Sequence, residues 1–203
     1  MSRRRPARDG AYARRSIAVA AVLAAAAIAV VLVVPVIDRV VRELGYPLSD
    51  ASIINQQARV EHIDPALIAA VIYAETKFDP RTSSAGALGL MQIEPATARY
   101  LAHLSGGSQF AVADLAHAAT NIAYGSYYLR YLLNLYGGNR MLALAAYNAG
   151  TTNVDRWVAH ATAARKQFSV ASIPFPQTRA YVAKVEAATV TYRRDYAKEL
   201  GPP

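Results

Sequence analysis

The stretch Asp64-Pro65-Ala66-Leu67-Ile68-Ala69-Ala70-Val71-Ile72-Tyr73-Ala74-Glu75 decides the fold class. Asp64 has the short side chain that caps a helix start, and Pro65 follows where a missing N–H costs nothing. A helix over Ala66 to Glu75 is therefore predicted. Ile68, Val71 and Ile72 fall at i, i+3 and i+4, a stripe that faces a core, and Glu75 continues that stripe at i+7. A carboxyl on an apolar face is desolvated, which raises its pKa and lets it donate a proton near neutral pH. The alternative is a glutamate at a frayed helix end that reaches solvent or an arginine. Periodicity alone leaves both readings open.

Outward from this helix the pattern stays helical. Asn121 to Tyr136 repeats apolar residues at Ile122, Tyr128, Leu129, Leu132, Leu133 and Tyr136, then meets Gly137-Gly138. Asn139 caps a further helix running to Tyr147-Asn148-Ala149, with Gly150 as its stop. A looser stretch follows from Trp157 to Ile173, and Pro174-Phe175-Pro176 introduces a last helix with Tyr181, Val182, Val185 and Tyr192. No sustained period-2 run is present, so the class is all-α.

The N-terminal part has a different character. Of the formal net charge of +8, residues 1–16 contribute +5, from six arginines against Asp9, and the body is only mildly basic. Residues 17–37, Ile17 to Ile37, carry no charge and as a helix would span the ~30 Å hydrocarbon layer. The arginines on one side place that end in the cytoplasm and the rest outside it. The expected organisation is a basic arm over 1–16, a transmembrane anchor over 17–37, a linker over 38–49 and one domain over 50–203. A cleaved secretory signal competes with the anchor, but its apolar region is normally ~7–15 residues. A duplex binder would spread its cations over a folded face, so no nucleic-acid partner is expected. The absence of cysteine excludes disulfides, zinc-thiolate sites and thiol nucleophiles, and His62, His103, His117 and His160 lack metal-binding spacing. Neither a metal nor a cofactor is implied.

Residues 75–80, Glu75-Thr76-Lys77-Phe78-Asp79-Pro80, are followed by Ser84-Ala85-Gly86-Ala87-Leu88-Gly89-Leu90-Met91-Gln92-Ile93-Glu94-Pro95-Ala96-Thr97-Ala98. Then come Asn121-Ile122 with Gly125 and Tyr128-Leu129, Ala145-Ala146-Tyr147-Asn148-Ala149-Gly150, and Thr178-Arg179-Ala180-Tyr181-Val182. This ordered set, over about residues 50 to 192, resembles the soluble lytic transglycosylase family, the goose-lysozyme-like enzymes of peptidoglycan. The resemblance implies a lysozyme-like helical domain with a cleft for alternating N-acetylglucosamine and N-acetylmuramic acid. It also implies cleavage without water: one glutamate protonates the glycosidic oxygen, then deprotonates the muramoyl C6 hydroxyl, closing a 1,6-anhydro ring.

By position, Glu75 would be the acid and base, and Ser84 would bond the muramoyl group. Met91 and Gln92 would line the cleft, Tyr147 and Asn148 would form the opposite wall, and Tyr181 would hydrogen-bond near Glu75. Three departures stand out: Gln177 before Thr178 where the family usually has glutamate, His117-Ala118 in place of Asp-Pro, and Glu94 in place of an apolar residue. Glu94 is the candidate for the second carboxylate that a muramidase would need; otherwise it is a solvent-facing helix-start residue. The expected setting is the cytoplasmic membrane, single-pass, with the domain extracytoplasmic and glycan strands as partner. Service to cell-envelope machinery is left open, and a catalytically silent glycan-binding domain is the remaining alternative.

Overall fold

The computed structural model describes residues 28–37, 39–106 and 109–202. The chain divides into two units, Met1–Gly45 and Tyr46–Pro203. In the first, residues 28–37 and 39–45 are helical (α1), with Ile28, Val31, Leu32 and Leu44 among its exposed apolar side chains. The expected span over 17–37 lies outside the described residues up to residue 27. Among the described residues no helix is long and apolar enough to cross a membrane.

The second unit is helical apart from one small ribbon. Its helices are α2 (Ala51–Glu61), α3 (Pro65–Glu75), α4 (Pro95–Ser105), α5 (Ala118–Leu135), α6 (Arg140–Ala149), α7 (Thr151–Ala163), α8 (Pro176–Asp195) and α9 (Ala197–Leu200). Tyr46 and Pro47 are bonded into this unit, since their carbonyls accept from the Tyr196 and Tyr192 hydroxyls at 2.6 Å each.

Helix α3 is the centre of the fold, and α8 is its most extensive partner. Asp64 caps it as expected, Oδ1 accepting from the Ala66 N–H at 2.9 Å, while Oδ2 pairs with Arg193. The one-sided stripe is corrected here: every residue from Pro65 to Ile72 is buried. A helix that is apolar all round belongs in the interior, so Glu75 is carried to the end of a buried rod.

Three further corrections concern elements. The stretch assigned as loose from Trp157 contains most of α7, and the Trp157 ring packs edge-on against Phe175 at 4.9 Å. Strands β1 (Arg81–Thr82) and β2 (Leu88–Gly89) pair antiparallel, a ribbon too short for a period-2 pattern to register. Helix α5 begins at Ala118, three residues before the periodic run.

Candidate active site

Helix α3 ends at Glu75, beyond which Lys77 and Phe78 both adopt left-handed backbone (φ 55° and 64°). Such residues are strained and persist only where their surroundings impose them. Buried Thr76 is one anchor: its Oγ1 donates to the Leu90 carbonyl at 2.8 Å, tying the helix end to the loop after β2.

That loop, residues 88–93, is fastened from several sides. Fully buried Asn121 on α5 accepts from the Met91 N–H (2.7 Å) and donates to the Leu88 (2.8 Å) and Leu115 (3.1 Å) carbonyls. Gly89 lies directly against Asn121, at φ 75°, where a Cβ would come within 2.2 Å of Nδ2. The Tyr147 hydroxyl donates to the Met91 carbonyl at 2.9 Å. Gln92, itself left-handed at φ 50°, donates through Nε2 to the Arg81 and Gly89 carbonyls at 2.8 Å each.

These contacts shape a cleft of about 460 Å³ lined by Glu75, Ser83, Gln92, Glu94, Tyr128, Tyr147 and Asn148, with Ala87, Ile93, Thr97, Ala149 and Gly150. Four of the seven sequence-assigned positions therefore meet there: Glu75, Gln92, Tyr147 and Asn148. The other three sit differently. Met91 is fully buried, its side chain pressed on Gly125, so it supports the cleft floor from behind. Tyr181 is buried with its hydroxyl beside the Glu75 carboxyl, and among the described residues that hydroxyl makes no hydrogen bond of ordinary length. Ser84 is exposed in the β1–β2 turn, and Ser83 lines the cleft while its Oγ holds the Ala87 N–H at 3.0 Å.

Burial pushes the Glu75 carboxyl up to about 7, against the smaller lowering effects of the Tyr181 hydroxyl, Lys184 and Arg81. It is the condition for a carboxylic acid that is half protonated near neutrality. Burial raises the Tyr147 and Tyr181 hydroxyls well above their usual range, and the Glu75 carboxylate adds to both. They stay neutral donors. Asn148, which lines the cleft, accepts from the Thr178 hydroxyl through Oδ1 at 2.8 Å.

Glu94 is the exposed N-cap residue of α4 without a capping hydrogen bond, and it also lines the cleft. Its charge acts on Tyr128, pushed up to about 12 mainly by burial. Sequence reasoning gives Asn121 and Ser83 no role in the site and reads Tyr128 only as part of the apolar repeat of its helix. Asn121 had a usable signal, a polar residue beside Ile122 on the inward face of α5.

Comparison with known proteins places these elements in one family. The Transglycosylase SLT domain model matches residues 52–169. The soluble lytic murein transglycosylase of Salmonella typhimurium is 34% identical over 159 residues, covering 74% of this chain and 24% of that protein. The membrane-bound lytic murein transglycosylase C of Mannheimia succiniciproducens is 33% identical, covering 70% of this chain and 46% of that one. Among solved structures, the 70 kDa soluble lytic transglycosylase of Escherichia coli superposes with TM-score 0.71 at 31% identity, over 79% of this chain and 27% of that one. An inactive glutamate-to-glutamine mutant of the lytic transglycosylase Slt from Pseudomonas aeruginosa gives 0.69 at 28%, over 79% and 26%. The chain thus spans about a quarter of the length of the soluble relatives it matches. With the family model covering more than half of the residues and the helices superposing on solved relatives, the chain belongs to the transglycosylase SLT domain family.

Proposed function

We propose that this chain cleaves the β-1,4 bond between N-acetylmuramic acid and N-acetylglucosamine in peptidoglycan without water, leaving 1,6-anhydromuramoyl ends. The observation that carries the reading is Glu75: a carboxyl pushed up to about 7 by burial, at the wall of a cleft of about 460 Å³. Protonated, it gives its proton to the glycosidic oxygen as the bond to C1 breaks. Ionised, it takes the proton of the muramoyl C6 hydroxyl, whose oxygen bonds to C1. The proton count closes on the one residue, so no second carboxylate is required. Gln92, Tyr147 and Asn148 hold the glycan, Ser84 meets the muramoyl substituents from the adjacent turn, Tyr181 orients Glu75, and Met91 braces the floor.

Digestion of purified sacculi by the full chain, followed by mass spectrometry, tests this. Anhydro-muropeptides are expected; reducing muramic ends would overturn it. One feature favours a muramidase as the second reading: Glu94 lines the same cleft and could serve as the second carboxylate.

We further propose that residues 17–37 anchor the chain in the cytoplasmic membrane with its domain outside. Support comes from the charge-free run, the arginines on its N-terminal side and the exposed apolar side chains of α1. The sedimentation of the full chain with membranes, resistant to salt and released by detergent, checks it.

A further inference from the structure

Tyr46 belongs to the stretch 38–49 that the sequence marks as a linker, yet Tyr46, Pro47 and Leu48 are half-buried. Helix α8 holds them there: the Tyr192 hydroxyl donates to the Pro47 carbonyl and the Tyr196 hydroxyl to the Tyr46 carbonyl. The Tyr192 ring also meets the Tyr46 ring edge-on at 5.9 Å. So fastened, Tyr46 stacks on Tyr73 of α3, with ring centroids 4.8 Å apart and planes inclined by 29°. Tyr192 closes on Tyr73 edge-on as well, at 6.1 Å. Tyr73 stands two residues before Glu75, and Lys184 Nζ lies 5.1 Å over its ring while donating to the Ala74 carbonyl.

A stacked ring and an edge contact together fix the plane of Tyr73. An ammonium is attracted to an aromatic face only while that face stays beneath it. Lys184 has a competing partner in the Glu75 carboxylate, which already acts on it through space. We propose that Tyr46 is a positioning residue for Glu75: its ring, arriving from ahead of the helical domain, braces Tyr73, which keeps Lys184 over its face and off the carboxyl. The segment that joins α1 to the domain thereby takes part in the chemistry; this rests on the glycan-cleaving reading above. The groups that face the carboxyl are the Tyr181 hydroxyl and Lys184 from α8, the Tyr147 hydroxyl from α6 and Arg81 from β1, while Lys77, after α3, acts on Lys184. Of these, Lys184 is the one whose seat includes the Tyr73 ring. A closer ammonium favours the ionised carboxyl, so loss of the brace moves the Glu75 titration to lower pH.

The full chain is compared with Tyr46→Ala, Tyr46→Phe, Lys184→Met and the double variant Tyr46→Ala/Lys184→Met through two pH profiles. One is the initial release of soluble fragments from sacculi. The other is urea unfolding of each protein against its Glu75→Gln counterpart, which follows the Glu75 titration without any turnover. In Tyr46→Ala both midpoints move down by about half a pH unit, so activity at pH 8 relative to pH 5 falls about threefold. Tyr46→Phe keeps the ring and with it the parent midpoints. In the Lys184→Met background, Tyr46→Ala moves neither midpoint further. An unmoved midpoint in Tyr46→Ala, an equal loss of activity at every pH, or a shift that survives in Lys184→Met overturns the proposal. A parent that yields reducing ends or no products, while Tyr46→Ala still moves the unfolding midpoint, would sink the transglycosylase reading alone. Anhydro products with an unmoved midpoint would sink the role of Tyr46 alone.

Discussion

Glu75→Gln should stabilise the protein, and by an amount that depends on pH in a specified direction. The folded-state carboxyl titrates at about 7 against 4.5 for the free side chain, with burial as the main cause. Below pH 4.5 the carboxyl is protonated in both states, and the two proteins differ only by a constant offset. Between 4.5 and 7 the unfolded chain releases a proton that the folded chain retains, so unfolding is favoured by about 1.4 kcal/mol per pH unit. Above 7 the loss levels off at about 3 kcal/mol. Glutamine has no charge to desolvate and escapes this loss. Urea unfolding of both proteins from pH 4 to pH 8 reads the difference directly, since every other titrating group is common to the pair. Expressed thermally, the gain at pH 8 is about 6–12 °C for a domain of this size. Difference curves that stay flat across that range would refute the claim that Glu75 is held in a desolvated site.

The same pKa predicts that turnover, which starts from the protonated acid, is retained at pH 6 and falls about tenfold per unit well above pH 7, as read by initial rates on sacculi. Tyr181→Phe removes a group that lowers the Glu75 pKa, so the falling limb should move to higher pH without loss of fold. Gly89→Ala must fit a Cβ 2.2 Å from Asn121 Nδ2 in a left-handed backbone, and should cost about 2–4 kcal/mol by denaturant unfolding. Asn121→Leu strands the Met91 N–H and two carbonyls, and should cost about 3 kcal/mol or more with activity falling alongside stability.

Local signals carried much of the fold. The Asp64 cap, Asn139 accepting from the Leu142 N–H at 3.1 Å, and Gly150 at φ 80° are set by side chains within a few residues, so they could be read in order along the chain. Helix α7 was lost because it opens after a glycine stop with Thr151-Thr152-Asn153, residues that also favour turns, and it buries only Val154 and Trp157. In the site, Gln92, Tyr147 and Asn148 were placed by motif order. The sequence could not distinguish Met91 as a lining residue from Met91 as a floor. That difference depends on Gly125, a helix away, leaving room for its sulfur. Ser83 and Ser84 are likewise adjacent and alike, and only the β1–β2 pairing turns one toward the cleft.

A carboxyl beside two cations would ordinarily titrate low, yet Glu75 does not, and the reason lies at the end of α3. The Ala74 and Glu75 carbonyls are last-turn groups without helical partners. Lys184 Nζ donates to the first at 2.8 Å while lying 5.1 Å over the Tyr73 ring, and Arg81 Nη2 donates to the second at 2.9 Å. Both cations are thus committed to the backbone and reach the carboxyl only through space, as weaker influences than burial. The strained Lys77–Phe78 turn belongs to this arrangement, because it swings the chain back so that Arg81 meets a carbonyl six residues earlier. Were either cation free to pair with the carboxylate, the acid would be ionised before substrate arrived. Were both absent, desolvation would be unopposed by charge, and the carboxyl would give up its proton too reluctantly in the first half of the cycle. Holding the cations on the helix end leaves one group near neutrality, able to give a proton and then take one.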